Sequence, residues 1–328
     1  MMDKVKWGVI GTAYIFERDT ALGMKLADNC EMYAVAGRNP VKAMQFKEKY
    51  GFVKAYGSYD ELLLDPDVEA VYIALPNNLH YEWTMKALRH KKHVLCEKPL
   101  APTAYEASQM FRAAEENGVY LMEAFAYQHS PYIKAVKEEV KSGTIGEILY
   151  MEAALITSDY VKENIRMQKG TFGGCTYDVG VYAISLIQSL MGREPVSVKA
   201  ISSSTSDGVD MYSTGIFEYE NGARASFDCG MVLATEKNSF LDRFQIHGTK
   251  GSISSLKFNF NAPGTLSYVI RDFEGGETVK EVEVPQNYSL EISQLGRCVR
   301  GAETPYLTED FSVPLARTVD RVLAGIGY

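Results

Sequence analysis

Over the first 124 residues, short runs that are apolar throughout alternate with segments of helical periodicity. The runs are VKWGVIG (5–11), EMYAVAG (31–37), VEAVYIAL (68–75), HVLC (93–96) and VYLMEA (119–124). Helical patterns lie between them at about 14–27, 40–51, 80–90 and 103–118. A strand that is apolar on both faces has to be covered on both, and strands separated by helices pair in parallel. The rhythm therefore predicts a doubly wound parallel sheet with right-handed crossovers.

After residue 124 the rhythm changes. A helix, SPYIKAVKEEVKSG (130–143), ends on Gly143, and long alternating strands follow, from EILYMEAALIT to TVKEVEVP. Turn signals such as Glu220-Asn221-Gly222 and Glu274-Gly275-Gly276 separate several of them. This predicts a mostly antiparallel sheet with helices on one side, an α+β domain, closed by a helix from about Glu309 to Ala324. A chain of 328 residues is too long for one small core. The expected division is 1–124, binding a dinucleotide, and 125–328, binding substrate.

Charge and cysteine content exclude several classes. The formal net charge is −8 with no lysine/arginine block, the wrong sign for a general nucleic-acid or anionic-membrane binder. No apolar run approaches the ~20 residues that span a bilayer. The N-terminal MMDKVKWGVI runs almost directly into a strand pattern, without a signal-peptide pattern. Cys30, Cys96, Cys175, Cys229 and Cys298 are dispersed, with no CxxC pair. They suggest reduced thiols in a cytoplasm and neither a disulfide framework nor a metal site.

In GVIGTAYIFER (8–18) a strand meets a glycine-containing turn before a helix, the place where a doubly wound fold binds pyrophosphate. Gly11, Thr12, Ala13, Tyr14 and Ile15 are its candidate cofactor contacts. Against the GxGxxG pattern, Ala13 replaces the second glycine and Phe16 the third, adding bulk where helix and strand should touch. The second strand ends at Gly37-Arg38-Asn39, where a NAD site usually carries an acid on the ribose 2′-hydroxyl. Arg38 instead offers a charged fork for a 2′-phosphate, so NADP is expected, with NAD possible; an exposed loop arginine is the alternative. Leu75, Pro76 and Asn77 lie at the carboxyl end of the strand over 68–75 and can flank ribose or nicotinamide. His80, grouped with them, starts the next helix.

VLCEKPL (94–100) ends at the same carboxyl edge. Pro99 restricts Lys98 to extended geometry, in either a trans or a cis peptide. An ammonium aimed off the sheet edge can bond a substrate hydroxyl, lower the pKa of a neighbouring phenol, or stabilise alkoxide character as hydride leaves carbon. Glu97, a candidate cofactor contact with Lys98, either pairs with Lys98 or shapes the turn. In GTFGGCTYDVGVYAISLIQSLMG (170–192), Asp178 and Tyr182 are four apart and share one helix face. Tyr182 is a candidate general acid/base if its pKa falls from ~10 toward neutrality, with Asp178 orienting substrate or the phenol. Equally, Asp178 caps the helix and Tyr182 packs in the core.

In their order, GVIGTA, AGR, LPNNLH, Glu97-Lys98-Pro99, Met122-Glu123-Ala124, Gly143-Thr144-Ile145-Gly146 and Gly173-Gly174-x-x-x-Asp178-Val179-Gly180-Val181-Tyr182 resemble the Gfo/Idh/MocA oxidoreductases over nearly the whole chain. The likeness is to the branch holding dihydrodiol dehydrogenase, D-xylose dehydrogenase and glucose–fructose oxidoreductase. It implies a Rossmann domain and a C-terminal domain with a large open sheet that often mediates dimer or tetramer assembly. It also implies hydride transfer between NAD(P) and a sugar, cyclitol or dihydrodiol, with Lys98 beside the nicotinamide and Tyr182 as acid/base. Inositol dehydrogenases carry histidine at the Tyr182 position. MEAFAYQHSP (122–131) departs from relatives that carry arginine where Gln128 stands; Tyr127 and His129 are candidate substrate contacts there, with a structural role for His129 equally open. A redox-assisted glycosidase and a non-catalytic dinucleotide sensor are the rival functions on this fold.

Overall fold

The computed structural model describes residues 3–158, 164–231 and 240–328. They form two compact units: 1–129 with 286–313, and 130–285 with 314–328.

In the first unit six strands run in parallel: β1 (Val5–Ile10), β2 (Cys30–Ala36), β3 (Lys54–Tyr56), β4 (Ala70–Ile73), β5 (His93–Glu97) and β6 (Leu121–Ala124). Their order is β3-β2-β1-β4-β5-β6, the doubly wound arrangement the apolar runs predict. Helices α1 (Ala21–Leu26), α2 (Pro40–Tyr50), α3 (Tyr59–Leu64), α4 (His80–Arg89) and α5 (Ala104–Asn117) connect them. Val9, Ile10, Val35, Val71, Tyr72, Leu95 and Met122 have no exposed surface, as strands covered on both faces require. Thr103 caps α5 through the Glu106 amide and Gly118 ends it in left-handed conformation, so both boundaries follow from sequence.

The second unit opens with α6 (Pro131–Lys141), continues through β7 (Ile148–Thr157) and α7 (Val181–Met191), and then runs as strands. These are β8 (Ser197–Ser204), β9 (Asp210–Glu218), β10 (Arg224–Gly230), β11 (Phe240–Gly248), β12 (Gly251–Lys257), β13 (Gly264–Asp272) and β14 (Glu277–Val284). The eight-stranded sheet has the order β14-β13-β12-β11-β7-β10-β9-β8. All neighbours are antiparallel except β7 and β10, which run parallel. Alternation divides its faces: Met151, Ala153, Phe217, Phe227, Phe244 and Ile246 are buried, whereas Tyr150, Ile201 and Ile216 are exposed. α8 (Asn287–Val299) returns the chain to the first unit and packs against α1, and α9 (Glu309–Ile326) passes from the first unit into the second at Pro314.

The sequence pattern does not show β3, α3, β12 or α8. β3 is three half-buried residues, α3 less than two turns, and in β12 (GSISSLK) three serines blur the apolar alternation. α8 buries Asn287, Glu291 and Gln294, which hide its apolar stripe.

Candidate active site

In a doubly wound sheet the loops after β1 and β4 part company at the switch point, opening a crevice at the carboxyl ends. Gly11 follows β1 with φ +106°, and a Cβ there would fall 2.5 Å from the Ala74 carbonyl oxygen just past β4. Only glycine fits so close an approach. Thr12, Ala13 and Ile15 are half-buried beyond it, while Tyr14 is 69% exposed with the Arg18 guanidinium 5.8 Å from its ring. The helix expected from about residue 14 starts there and runs as a π-turn over Phe16–Thr20. The bulk of Phe16, expected to intrude between helix and strand, is absorbed by the rings of Phe46, Tyr50 and Phe52 at 6.0, 5.2 and 5.8 Å.

Gly37 ends β2 against Thr12, whose Cγ2 would lie 3.1 Å from an added Cβ. Arg38 next to it is exposed, and its guanidinium beside Tyr59 offsets part of the upward push that burial gives that phenol. The Asn39 side chain caps α2, accepting from the Val41 and Lys42 amides at 3.0 and 3.2 Å. Lys42 Nζ donates to the Thr12 carbonyl at 2.7 Å, setting a second cation beside the first loop. Sequence reasoning missed Lys42; its only signal is a place in the first turn of the helix after Arg38.

Leu75, Pro76 and Asn77 lie half-buried beyond β4. His80 has no exposed surface; its Nδ1 sits 2.7 Å from the Pro99 carbonyl oxygen and its Nε2 2.8 Å from that of Leu75. Burial lowers its pKa below the usual 6.5, against the pull of the two carbonyls. Lys98, half-buried, follows β5, and the Lys98–Pro99 peptide is cis. The Glu97 carboxyl is buried and accepts the Tyr72 hydroxyl, which in turn accepts from Thr20 Oγ1 at 3.0 Å. Burial raises the Glu97 pKa, opposed first by the Lys98 ammonium and then by the Tyr72 bond. Glu123 Oε1 accepts from the Leu100 amide at 2.8 Å, and burial pushes its carboxyl up to about 7. Glu291, equally buried and beside Glu97, stands well above the ordinary carboxylate range for the same reason. Tyr127 is wholly buried and its hydroxyl accepts from Gln128 Nε2 at 2.6 Å; the His129 ring lies 5.3 Å from that of Tyr306.

In the second unit a π-turn over Thr176–Gly180 leads into α7 and carries Asp178, with Tyr182 just inside the helix. The turn is anchored by Asp210, whose Oδ2 accepts from the Thr176 amide at 2.8 Å, its hydroxyl at 2.7 Å and the Cys175 thiol at 3.0 Å. Gly174 approaches so close, with φ +105°, that a Cβ would meet Asp210 Oδ1 at 1.9 Å. Asp178 lies inside the π-turn and not at the cap positions, which are Cys175 and Gly180; its Oδ1 is 2.7 Å from Arg166 Nε, a partner no spacing rule reveals. The Tyr182 hydroxyl accepts from Asn261 Nδ2 at 3.3 Å, and its ring packs on Phe260 at 5.3 Å.

The family model described as the oxidoreductase family with an NAD-binding Rossmann fold, Gfo/Idh/MocA, matches residues 5–125, and a Gfo/Idh/MocA C-terminal domain model matches 133–254. The chain belongs to the Gfo/Idh/MocA family. As the family descriptions and the relatives together establish, it is an NAD(P)-dependent oxidoreductase acting on CH–OH groups. A D-xylose 1-dehydrogenase (NADP(+)) of Haloferax volcanii is 33% identical over 324 residues, covering 96% of this chain and 95% of that protein. A trans-1,2-dihydrobenzene-1,2-diol dehydrogenase of Xenopus laevis is 29% identical over 332 residues, covering 98% of each. Among solved structures, the 3-ketoreductase KijD10 of Actinomadura kijaniata, in complex with NADP and TDP-benzene, superposes with a TM-score of 0.90 at 28% identity, over 99% of this chain and 98% of that one. In this Gfo/Idh/MocA chain, the first unit gathers Gly11–Ile15, Gly37–Arg38, Leu75–Asn77 and Lys98 at one sheet edge, and the second pairs Asp178 with Arg166 and Tyr182 with Asn261.

Proposed function

We propose that the protein is an NADP-preferring dehydrogenase or reductase of a sugar, cyclitol or dihydrodiol, with Lys98, Tyr182 and Asp178 as its catalytic group. The observation that carries the reading is Lys98 half-buried at the carboxyl end of β5, two places from the switch point of a Gfo/Idh/MocA Rossmann sheet. The residues suit a dinucleotide: Gly11, packed close against the Ala74 carbonyl, keeps the turn after β1 at the place where a doubly wound fold binds pyrophosphate, and Arg38 with Lys42 offers two cations to a 2′-phosphate. Relatives of similar length carry NADP in name or in complex, which supports the same choice. The bound nicotinamide supplies the hydride acceptor or donor. Lys98 supplies positive charge to the substrate oxygen as alkoxide character develops. Tyr182 exchanges the hydroxyl proton, and Asp178, held by Arg166, orients the substrate or the phenol. Leu75, Pro76 and Asn77 flank the nicotinamide ribose, and Tyr127 and His129 shape the substrate end.

The exposed apolar residues Tyr150, Ile201 and Ile216 on the open face of the second sheet support a homodimer or homotetramer joined through it. Five free, buried cysteines suit a reducing cytoplasm. The test is a panel of sugars, cyclitols and dihydrodiols assayed for nicotinamide absorbance in both directions, with Lys98→Met and Tyr182→Phe beside the wild type. Turnover by the wild type that falls at least a hundredfold in both variants is expected. Turnover undiminished in either variant removes that residue from the catalytic group.

A further inference from the structure

We propose that His80 is a positioning residue that sets the Lys98 loop against the loop of Leu75–Asn77 through its two ring nitrogens. The inference rests on the catalytic reading of Lys98 and deepens it. His80 opens α4, yet its ring does not serve that helix. It is wedged, with no exposed surface, between two backbone oxygens, Pro99 O at 2.7 Å from Nδ1 and Leu75 O at 2.8 Å from Nε2.

Those oxygens belong to two neighbouring strand-end loops. One follows β4 and carries the candidate ribose contacts Pro76 and Asn77; the other follows β5 and carries Lys98. Strand pairing fixes β4 against β5 only as far as Ile73 and Cys96. Beyond that register the separation of the two loops has to be set by something else, and the His80 ring joins them directly. Both acceptors are carbonyls, so each bond needs a ring N–H. The protonated ring donates to both; the neutral ring donates to one and acts as a spacer against the other. In either state the ring width fixes the distance between the oxygens. A displacement of about 1 Å at reacting groups costs up to roughly a hundredfold in rate.

The two nitrogens can be removed one at a time. In place of the imidazole, an asparagine side chain sets its amide nitrogen near the Nδ1 position, and a glutamine side chain sets its own near the Nε2 position. His80→Asn therefore keeps the bond to the Lys98 loop, and His80→Gln keeps the bond to the Leu75 loop. Steady-state kinetics are measured with NADP and the best substrate of the panel, with Lys98→Met as control. His80→Asn is expected to hold kcat within about threefold and raise the NADP KM about tenfold. His80→Gln is expected to hold that KM and lower kcat tenfold or more. A residue that only starts a helix would shift the melting temperature of both variants and leave their kinetics alike; identical kinetics overturn the proposal. If Lys98→Met keeps full activity, the reading of Lys98 fails; if it does not, and the split is absent, only the role of His80 fails. Should both variants prove too unstable to assay, ring N–H resonances of the wild type decide. A slowly exchanging His80 ring proton supports the wedge, and the absence of any slowly exchanging ring proton overturns it.

Discussion

Removing the two cations at the end of β2 is the sharpest test of the cofactor assignment. Arg38 is exposed, and Lys42 spends one of its three protons on the Thr12 carbonyl at 2.7 Å. The α2 amides that would otherwise serve a phosphate are already used: Pro40 has no N–H, and those of Val41 and Lys42 donate to Asn39. A 2′-phosphate at this corner therefore depends on side chains. A hydrogen bond to a charged group contributes about 1.5–3 kcal/mol, and exposure and salt place Arg38 at the lower end. Its removal should cost about 1.5 kcal/mol, roughly tenfold in NADP affinity. Arg38→Ala and Lys42→Ala are assayed by titration calorimetry with NADP and NAD in parallel. Each substitution is expected to weaken NADP about tenfold and to leave NAD within twofold; the double variant should lose most of the preference. A wild type that binds NAD at least as tightly as NADP, or variants that weaken both cofactors equally, refutes the reasoning.

Glu123 makes stability depend on pH in a definite direction. Its pKa rises on folding from 4.5 to about 7, so the fold favours its protonated form. The stability it contributes is present below 4.5 and is lost as pH rises through about 7, at most about 3 kcal/mol across that window. Glu123→Gln, which keeps an acceptor for the Leu100 amide, should flatten the decline of melting temperature between about pH 5 and 8; an unchanged slope contradicts it. Arg166→Met should lower kcat about tenfold through loss of the 2.7 Å contact with Asp178, with little change in melting temperature. Arg166→Lys should restore part of the rate but not all, since a point charge lacks the directional fork; full activity in Arg166→Met refutes the positioning of Asp178.

The doubly wound arrangement was legible because fully apolar strands leave few alternatives, and the places of Lys98 at a strand end and of Tyr182 in a helix were legible because each lies beside an apolar run. What stayed hidden are partnerships between distant segments. Nothing in the spacing of Arg166 and Asp178, or of Tyr72 and Glu97, says that they meet. Phe16 was read as an obstacle because the glycine pattern assumes an ordinary helix; a π-turn and three nearby rings make room for it. α8 escaped because a helix that buries Glu291 and Gln294 lacks a clean apolar stripe, and its burial depends on α1 and β5, far away in sequence.

Those buried acids also bear on how a chain of formal charge −8 accommodates a polyanionic cofactor. The formal count treats every carboxyl as ionised, yet burial raises the pKa of Glu97, Glu123 and Glu291. Each that keeps its proton takes one negative charge away from the neighbourhood of Lys98. A protonated carboxyl also donates a hydrogen bond, which an ionised one does not. Beneath Lys98, then, the raised carboxyls weaken the opposing field, while in the proposed site Arg38 and Lys42 would act on a 2′-phosphate at contact distance. Over a range of about 8–10 Å in physiological salt, nearby cations outweigh a net charge spread over the whole surface. The sign of the total charge therefore argues against binding long polyanions and is compatible with a site for one phosphate group at a time.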